Sequence, residues 1–252
     1  MLHLNPKLLA WLWLLIAIIT EVLGSSFLKL AQSMSYGFLV TAFFICVSYY
    51  FIGLSIKRIS VSVAYAMWEV LGVICIVLIG IWYFDENLAF VQYAGIACAI
   101  AGIMLINFGE IDSSEHTTPS IKALAILAAG LLGVVALAWV CSLVNGALFG
   151  FFLVCAAAVL DVVANLLLKA SNGFSKLGYG LGAVGVVIGA FYLLMLALDS
   201  MELAVAYSSW GAIGIIGTIA GGRILFGERL NAIGYVGVVL VIAAVGLLHE
   251  IV

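Results

Sequence analysis

Charge is the scarcest property of this chain. Of its 252 residues only 8% are charged, nine Lys/Arg and twelve Asp/Glu, against 67% hydrophobic. A soluble domain carries roughly 25% charged residues, so there are too few here to cover a water-facing surface. A soluble enzyme, a nucleic-acid binder and a disordered protein are all excluded. Cysteine and histidine are also thin. Cys46, Cys75, Cys98, Cys141 and Cys155 lie in apolar runs with neither framework nor metal spacing, and read as small core residues. His3, His116 and His249 stand far apart near segment ends, so no metal site is expected. No cleavable leader is expected either, because the apolar stretch after Lys7 is long enough to span a bilayer and lacks a convincing cleavage site.

What the chain does have is apolar runs of about 20 residues, the length that crosses a hydrocarbon core. Between polar punctuation they fall near 8–30, 37–56, 61–84, 88–108, 121–143, 147–170, 178–198, 202–226 and 230–249. The predicted fold is therefore an all-α membrane protein with nine transmembrane helices. The longest polar stretch, Gly109 to Ser120, separates the first four spans from the fifth.

The first four spans and the last four are alike. Glu21 and Lys29 are eight apart, as are Asp161 and Lys169. Val63-Ala-Tyr-Ala-Met-Trp68 matches Val205-Ala-Tyr-Ser-Ser-Trp210, and Gly72 matches Gly214. Phe84-Asp-Glu-Asn-Leu88 matches Phe226-Gly-Glu-Arg-Leu230, and the offset stays at 140 to 142 throughout. This is a duplication of a four-helix unit. Three units are expected: residues 1–110, a linker of 111–146 with one transmembrane helix, and residues 147–252. The extra crossing makes the second repeat enter from the opposite side. Lys/Arg placement tests this, since these residues favour cytoplasmic loops. With the N-terminus inside, Lys7, Lys57, Arg58, Lys122, Lys169, Lys176, Arg223 and Arg229 all fall on the cytoplasmic side, and Lys29 alone falls outside. The repeats are read as inverted, in a plasma (inner) membrane, with the C-terminus outside. The linker helix carries no intramembrane charge and reads as passive.

Three acids lie within spans. At 1.5 Å per residue, Glu21 stands about 20 Å along its helix, near the bilayer midplane. Asp161 occupies the matching place in the second repeat, and Glu69 follows Trp68 in the third span with no counterpart in the other repeat. A charged group at a helix centre costs roughly 2.5–3.5 kcal/mol on insertion scales, so such residues face a partner or a cavity. Ala17, Glu21, Gly24, Ser25 and Leu28 share one helix face, as do Ala157, Asp161, Ala164, Asn165 and Leu168. Their small residues permit close packing around a polar pocket. Tyr65, Trp68, Glu69 and Gly72 form one stripe, and Tyr207, Trp210, Gly211 and Gly214 the other. Beside buried carboxyls, these aromatic faces make a cation-binding box. A carboxyl withdrawn from water holds either a proton or a cation, so the two compete for one site. Inverted repeats rocking about that site give alternating access, and a proton gradient can then drive the cation out.

These residues resemble the small multidrug resistance family of proton-coupled exporters over nearly all of 8–108 and 147–249. The motifs are a first-helix acid with Gly or Ala three residues on and Lys eight on, Ala-Tyr-x-x-Trp before a Gly in the third helix, and Phe-x-Glu-x-Leu after it. Members are usually single four-helix chains that dimerise antiparallel, so the resemblance implies that this chain is a complete pseudo-dimer. The segments Gly95 to Gly102 and Gly237 to Ala244 are similar to the family's dimer contact and are assigned to packing. Within the family, the halves are similar to the two subunits of a two-component spermidine exporter, the first through Trp68-Glu69 and Phe84-Asp85-Glu86, the second through Trp210-Gly211, Ile224 to Gly227, and Glu202. This implies that Glu21, Tyr49, Glu69, Glu86, Asp161, Glu202 and Trp210 serve polyamine export, although Asp161 stands where Glu is usual. A polyamine carries several separated ammonium groups, each needing a partner out of water, and Glu69 supplies a third carboxylate.

The expected function is proton-coupled antiport of polyamine cations, with no cofactor beyond the coupling protons. Substrate and proton would meet Glu21, Asp161, Glu69, Tyr65, Trp68, Tyr207 and Trp210, with Tyr49, Glu86 and Glu202 as secondary polyamine contacts. Export of quaternary ammonium or guanidinium ions by the same mechanism is the alternative, and a lipid-handling member a third. No arrangement of an intramembrane enzyme sits at helical spacing. The expected partners are a small cation and the bilayer.

Overall fold

The computed structural model describes residues 6–31, 34, 36–58, 61–111, 129, 133, 136, 139–140, 143, 148–226 and 229–248. In a bilayer every backbone N–H and C=O must be satisfied within the chain, so long apolar runs become helices. Eight are seen among the described residues: α1 (Pro6–Ala31), α2 (Gly37–Ser55), α3 (Val61–Tyr83), α4 (Phe90–Gly109), α5 (Phe149–Ala170), α6 (Leu177–Ala197), α7 (Leu203–Phe226) and α8 (Ala232–Leu248). Each lies within two residues of a span read from hydropathy. Five, at Leu8–Ala31, Gly37–Ser55, Phe149–Ala170, Leu177–Ala197 and Leu203–Leu225, are long and apolar enough to cross a membrane. The apolar helical stretches Met67–Tyr83, Phe90–Ile106 and Ala232–Leu248 are shorter. This is a multi-pass membrane protein. The predicted fifth span, 121–143, falls mostly outside the described residues. Within it Ala129, Gly133, Ala136, Trp139, Val140 and Leu143 are helical and exposed, and Trp139 packs edge-on against Phe152 of α5.

Corresponding helices of the two repeats run antiparallel. Along α3 and α7, Gly80 lies against Ala204, Gly72 against Tyr207, and Glu69 against Gly211. Along α4 and α8, Gly95 meets Leu248, Gly102 meets Val241 and Gly237, and Gly109 meets Gly234. These glycines bring the two backbones together. A Cβ on Gly237 would lie 2.5 Å from the Gly102 carbonyl and 2.7 Å from the Ile106 nitrogen. Lipid tails are as apolar as Leu, so association rests on such close packing and on interhelical hydrogen bonds, not on expulsion of water. Two of those bonds tie α2 to α1: Ser48 donates to the Ala17 carbonyl at 2.8 Å, and Thr41 to the Gly24 carbonyl at 3.0 Å.

A two-residue antiparallel ladder, absent from the sequence reading, seals the α4/α8 seam. Its strands are β1 (Glu110–Ile111) and β2 (Arg229–Leu230), with Glu110 opposite Leu230. At the same end, the turn after α5 passes through three left-handed residues, Asn172, Gly173 and Phe174. A side chain on Gly173 would strike the Gly53 carbonyl and Lys57, so only glycine fits there. Phe174 lies in the notches left by Gly53 and Gly180.

The helix directions gather Lys57, Arg58, Lys169, Lys176, Arg223 and Arg229 at one end of the bundle and leave Lys29 at the other. α4 finishes at the cation-rich end and α5 begins at the Lys29 end, where Gly150 meets Ser200. The two repeats are therefore inverted in space.

Candidate functional site

The faces that carry the first-helix acids are the buried ones. Ala17, Glu21, Gly24, Ser25 and Leu28 are all buried, and so are Ala157, Asp161, Ala164, Asn165 and Leu168. Glu21 is 4% exposed and Asp161 7%. Each acid takes a hydrogen bond from a tyrosine of the opposite repeat. The Tyr207 hydroxyl on α7 donates to Glu21 Oε1 at 2.7 Å. The Tyr49 hydroxyl on α2 lies 3.3 Å from Asp161 Oδ1 and 3.2 Å from Asn165 Oδ1, while Asn165 Nδ2 donates to Asp161 Oδ2 at 2.9 Å. Neither repeat alone completes either acid's hydrogen bonding.

Aromatic rings wall this polar centre. Tyr49 packs edge-on against Trp68 with centroids 5.6 Å apart. Trp210 does the same with Phe191 at 5.2 Å and Tyr207 at 5.1 Å. The offset of 142 pairs Tyr49 with Phe191 and Trp68 with Trp210, so the duplication keeps the ring pair and discards one hydroxyl. The side chain of Tyr65 lies outside the described residues.

Glu69 reaches across the α3/α7 interface to Gly211, where its Oε1 fills the space a Cβ would need. Gly214 likewise faces Asp161, whose Oδ2 stands 3.3 Å from where a Cβ would be, and Gly72 faces the Tyr207 hydroxyl at 3.1 Å. Tyr207, Gly211 and Gly214 share one face of α7 and so bring Glu21, Glu69 and Asp161 together. The three carboxyls form one site, bounded by α1, α2, α3, α5, α6 and α7.

A second charged cluster closes the Lys29 end. Lys29 Nζ lies 2.5 Å from Glu86 Oε1 and 2.9 Å from Glu202 Oε2, and 5.1 Å from the centre of the Phe84 ring. The Glu86 side chain is fully buried. Its oxygens accept from the backbone N–H groups of Leu203 at 2.8 Å and Ala204 at 3.0 Å, the first two residues of α7. The carboxylate thus caps a helix of the other repeat, satisfying amides left open at a helix start and facing its positive end. Asp85, exposed and left-handed at φ 53°, turns the chain so that Glu86 points back. Gly80 leaves the space that Glu86 occupies. Of the residues expected as secondary contacts, Tyr49 belongs to the central site, whereas Glu86 and Glu202 sit together at the bundle's end with Lys29 between them. The capping role of Glu86 was not read from the sequence. Its only local sign is Glu202 at the helix-start position, which is not a strong capping residue type.

Comparison with known proteins agrees with this duplicated plan. The family model for the Small Multidrug Resistance protein matches twice, over residues 9–99 and 149–241. The chain is similar to the Spermidine export protein MdtI of Enterobacter sp. (strain 638), 46% identical over 87 residues, which is 34% of this chain and 80% of that protein. It is similarly close to the proteins of that name from Klebsiella pneumoniae subsp. pneumoniae, 46% identical over 92 residues, 36% of this chain and 84% of the relative, and Salmonella paratyphi A, 47% identical over 87 residues, 34% and 80%. No solved structure matches the chain. Two family matches, one on each inverted set of four helices, make this chain a fused, double-unit member of the small multidrug resistance family.

Proposed function

We propose that this protein is a proton-coupled antiporter that exports polyamine cations of the spermidine type. The observation that carries the reading is the buried carboxyl site shared by the two inverted repeats, with Glu21 and Asp161 each held by a tyrosine of the other repeat. A carboxylate cannot stay charged and alone out of water. Each acid therefore holds a proton or an ammonium group, and loading one releases the other. Tyr207 and Tyr49 keep the acids oriented, and Trp68 and Trp210 wall the cation. Rocking of one repeat against the other exposes the site to each side in turn. Glu69 gives a longer cation its additional partner. The spermidine assignment is supported by the named relatives and by this third acid.

In this reading the chain crosses the plasma (inner) membrane nine times, as repeats 1–110 and 147–252 joined through a linker crossing in 111–146. The cation-rich end with the N-terminus is cytoplasmic, and Lys29, Glu86 and Glu202 face outward. One chain is then a complete pseudo-dimer. The aromatic walls would also suit a quaternary ammonium ion, which makes export of such ions the second reading.

The test is spermidine transport into proteoliposomes under an imposed pH gradient, comparing the native chain with Glu21→Gln and Glu69→Gln. Gradient-driven transport that both substitutions abolish is the expected result. A native chain that ignores spermidine but moves a quaternary ammonium or guanidinium ion would overturn the substrate and leave the mechanism in place.

A further inference from the structure

The three carboxyls of the central site are not equally satisfied. Glu21 has a phenol donor and Asp161 has a phenol and an amide. Glu69 Oε1 is buried and receives no hydrogen bond among the described residues. Buried polar atoms almost always find a partner, so an acceptor left open beside two satisfied acids asks for a donor from elsewhere.

Its surroundings are asymmetric in a way that singles it out. The offset of 142 places Gly211 at the position of the second repeat that corresponds to Glu69, and the two corresponding residues face each other across the α3/α7 interface. Any side chain at 211 would occupy the place of Glu69 Oε1. The next neighbour of that space is Val73, whose Cγ2 stands 3.8 Å away, so a Cβ there would displace the carboxyl and little else. Glycine is a poor helix former, and its presence within α7 matches the need for this space.

We infer that Gly211 and Glu69 together are the specificity determinant of the site, seating one carboxyl oxygen to accept a hydrogen bond from a cation that carries N–H groups. The inference rests on the site being a cation-transport site, as proposed above, and names what it selects. Primary and secondary ammonium groups and guanidinium can donate to Glu69. A quaternary ammonium ion has no N–H and leaves the oxygen unsatisfied. A site built to donate or accept a particular hydrogen bond discriminates strongly against a ligand that cannot complete it. A cation with two ammonium groups can then pair one with Glu69 and the other with the Glu21 and Asp161 pair.

The test compares spermidine, guanidinium and tetraethylammonium in proteoliposomes under one imposed pH gradient, for the native chain, Gly211→Ala, Glu69→Leu, and Gly211→Ala combined with Glu69→Asp. Selectivity is read as the ratio of N–H cation to tetraethylammonium transport. Gly211→Ala and Glu69→Leu are each expected to lower that ratio at least tenfold. Glu69→Asp, one methylene shorter, should restore part of it in the Gly211→Ala background by retreating from the new methyl group. An unchanged ratio in Gly211→Ala, with rates falling for all three ions alike, would overturn the inference, as would failure of Glu69→Asp to restore any of it. If the native chain moves guanidinium but not spermidine, the polyamine reading fails. The inference then stands or falls on the guanidinium ratio. A native chain that moves only tetraethylammonium, or none of the three, overturns both.

Discussion

Replacing Glu86 by Ala should destabilise the protein more than replacing Lys29, although the two form an ion pair. The Glu86 carboxylate accepts three hydrogen bonds, from Lys29 at 2.5 Å and from the first two amides of α7 at 2.8 and 3.0 Å. Loss of a capping group costs about 0.5–2 kcal/mol, and an ion pair open to water on one side adds about 1 kcal/mol at most. Lys29 is 26% exposed and Glu202 45%, which places that half of the cluster in the weak regime. Glu86→Ala should therefore cost up to about 3 kcal/mol. Lys29→Met leaves Glu86 bonded to both amides and should cost about 1 kcal/mol or less. The double substitution should fall short of additivity by roughly 0.5–1 kcal/mol, because the Lys29–Glu86 bond is lost only once. Equilibrium unfolding in mixed micelles, followed by tryptophan fluorescence, gives all three values. Equal costs for the two single substitutions would refute the capping assignment, and strict additivity would refute the pairing.

The two tyrosines of the central site should not be equivalent. Tyr207→Phe removes a 2.7 Å phenol bond to Glu21, whereas Tyr49→Phe removes a 3.3 Å bond and leaves Asp161 with the Asn165 amide. Initial transport rates in proteoliposomes should therefore fall about tenfold or more for Tyr207→Phe, the loss of roughly one charge-assisted hydrogen bond, and less for Tyr49→Phe. At the α4/α8 seam, Gly237→Ala forces a methyl group against backbone atoms of α4 and should cost about 1–3 kcal/mol. Gly246→Ala, which meets nothing within 4 Å, should be neutral or slightly stabilising. The same unfolding assay separates them. Asp161→Asn should abolish pH-gradient-driven transport while the chain still elutes as folded protein on gel filtration, since Asn keeps one acceptor oxygen, for Tyr49, and loses the titrating carboxyl together with the acceptor for Asn165.

Periodicity and repetition made the helices, the inversion and the buried faces legible. An apolar run ends where charge begins, which is why Phe149–Ala170 and Leu203–Phe226 lie so near the spans 147–170 and 202–226. The acids were legible because a carboxylate among apolar residues stands out at once. The partners of those acids were harder to read. Tyr49 and Asp161 are 112 residues apart, and Glu86 and Leu203 are 117 apart. No local signal marks such contacts, because antiparallel packing of two repeats creates them. The sequence singled out Tyr49 and Glu86 only through a family resemblance. Their separate places, one in the centre and one in a helix cap, required the fold. The β1/β2 ladder escaped notice because two residues carry no alternation.

The pairing of Glu69 with Gly211 has a consequence for assembly. Two copies of the first half, joined in the same inverted manner, would bring two glutamate side chains to a place with room for one carboxyl. Two copies of the second half would leave a hole with no acid in it. Only the mixed pair fills this space once, and separate halves would have to sort themselves to achieve it. Synthesis as one polypeptide removes that sorting problem: every molecule receives one of each half. Either half is then free to diverge so long as the other fits it.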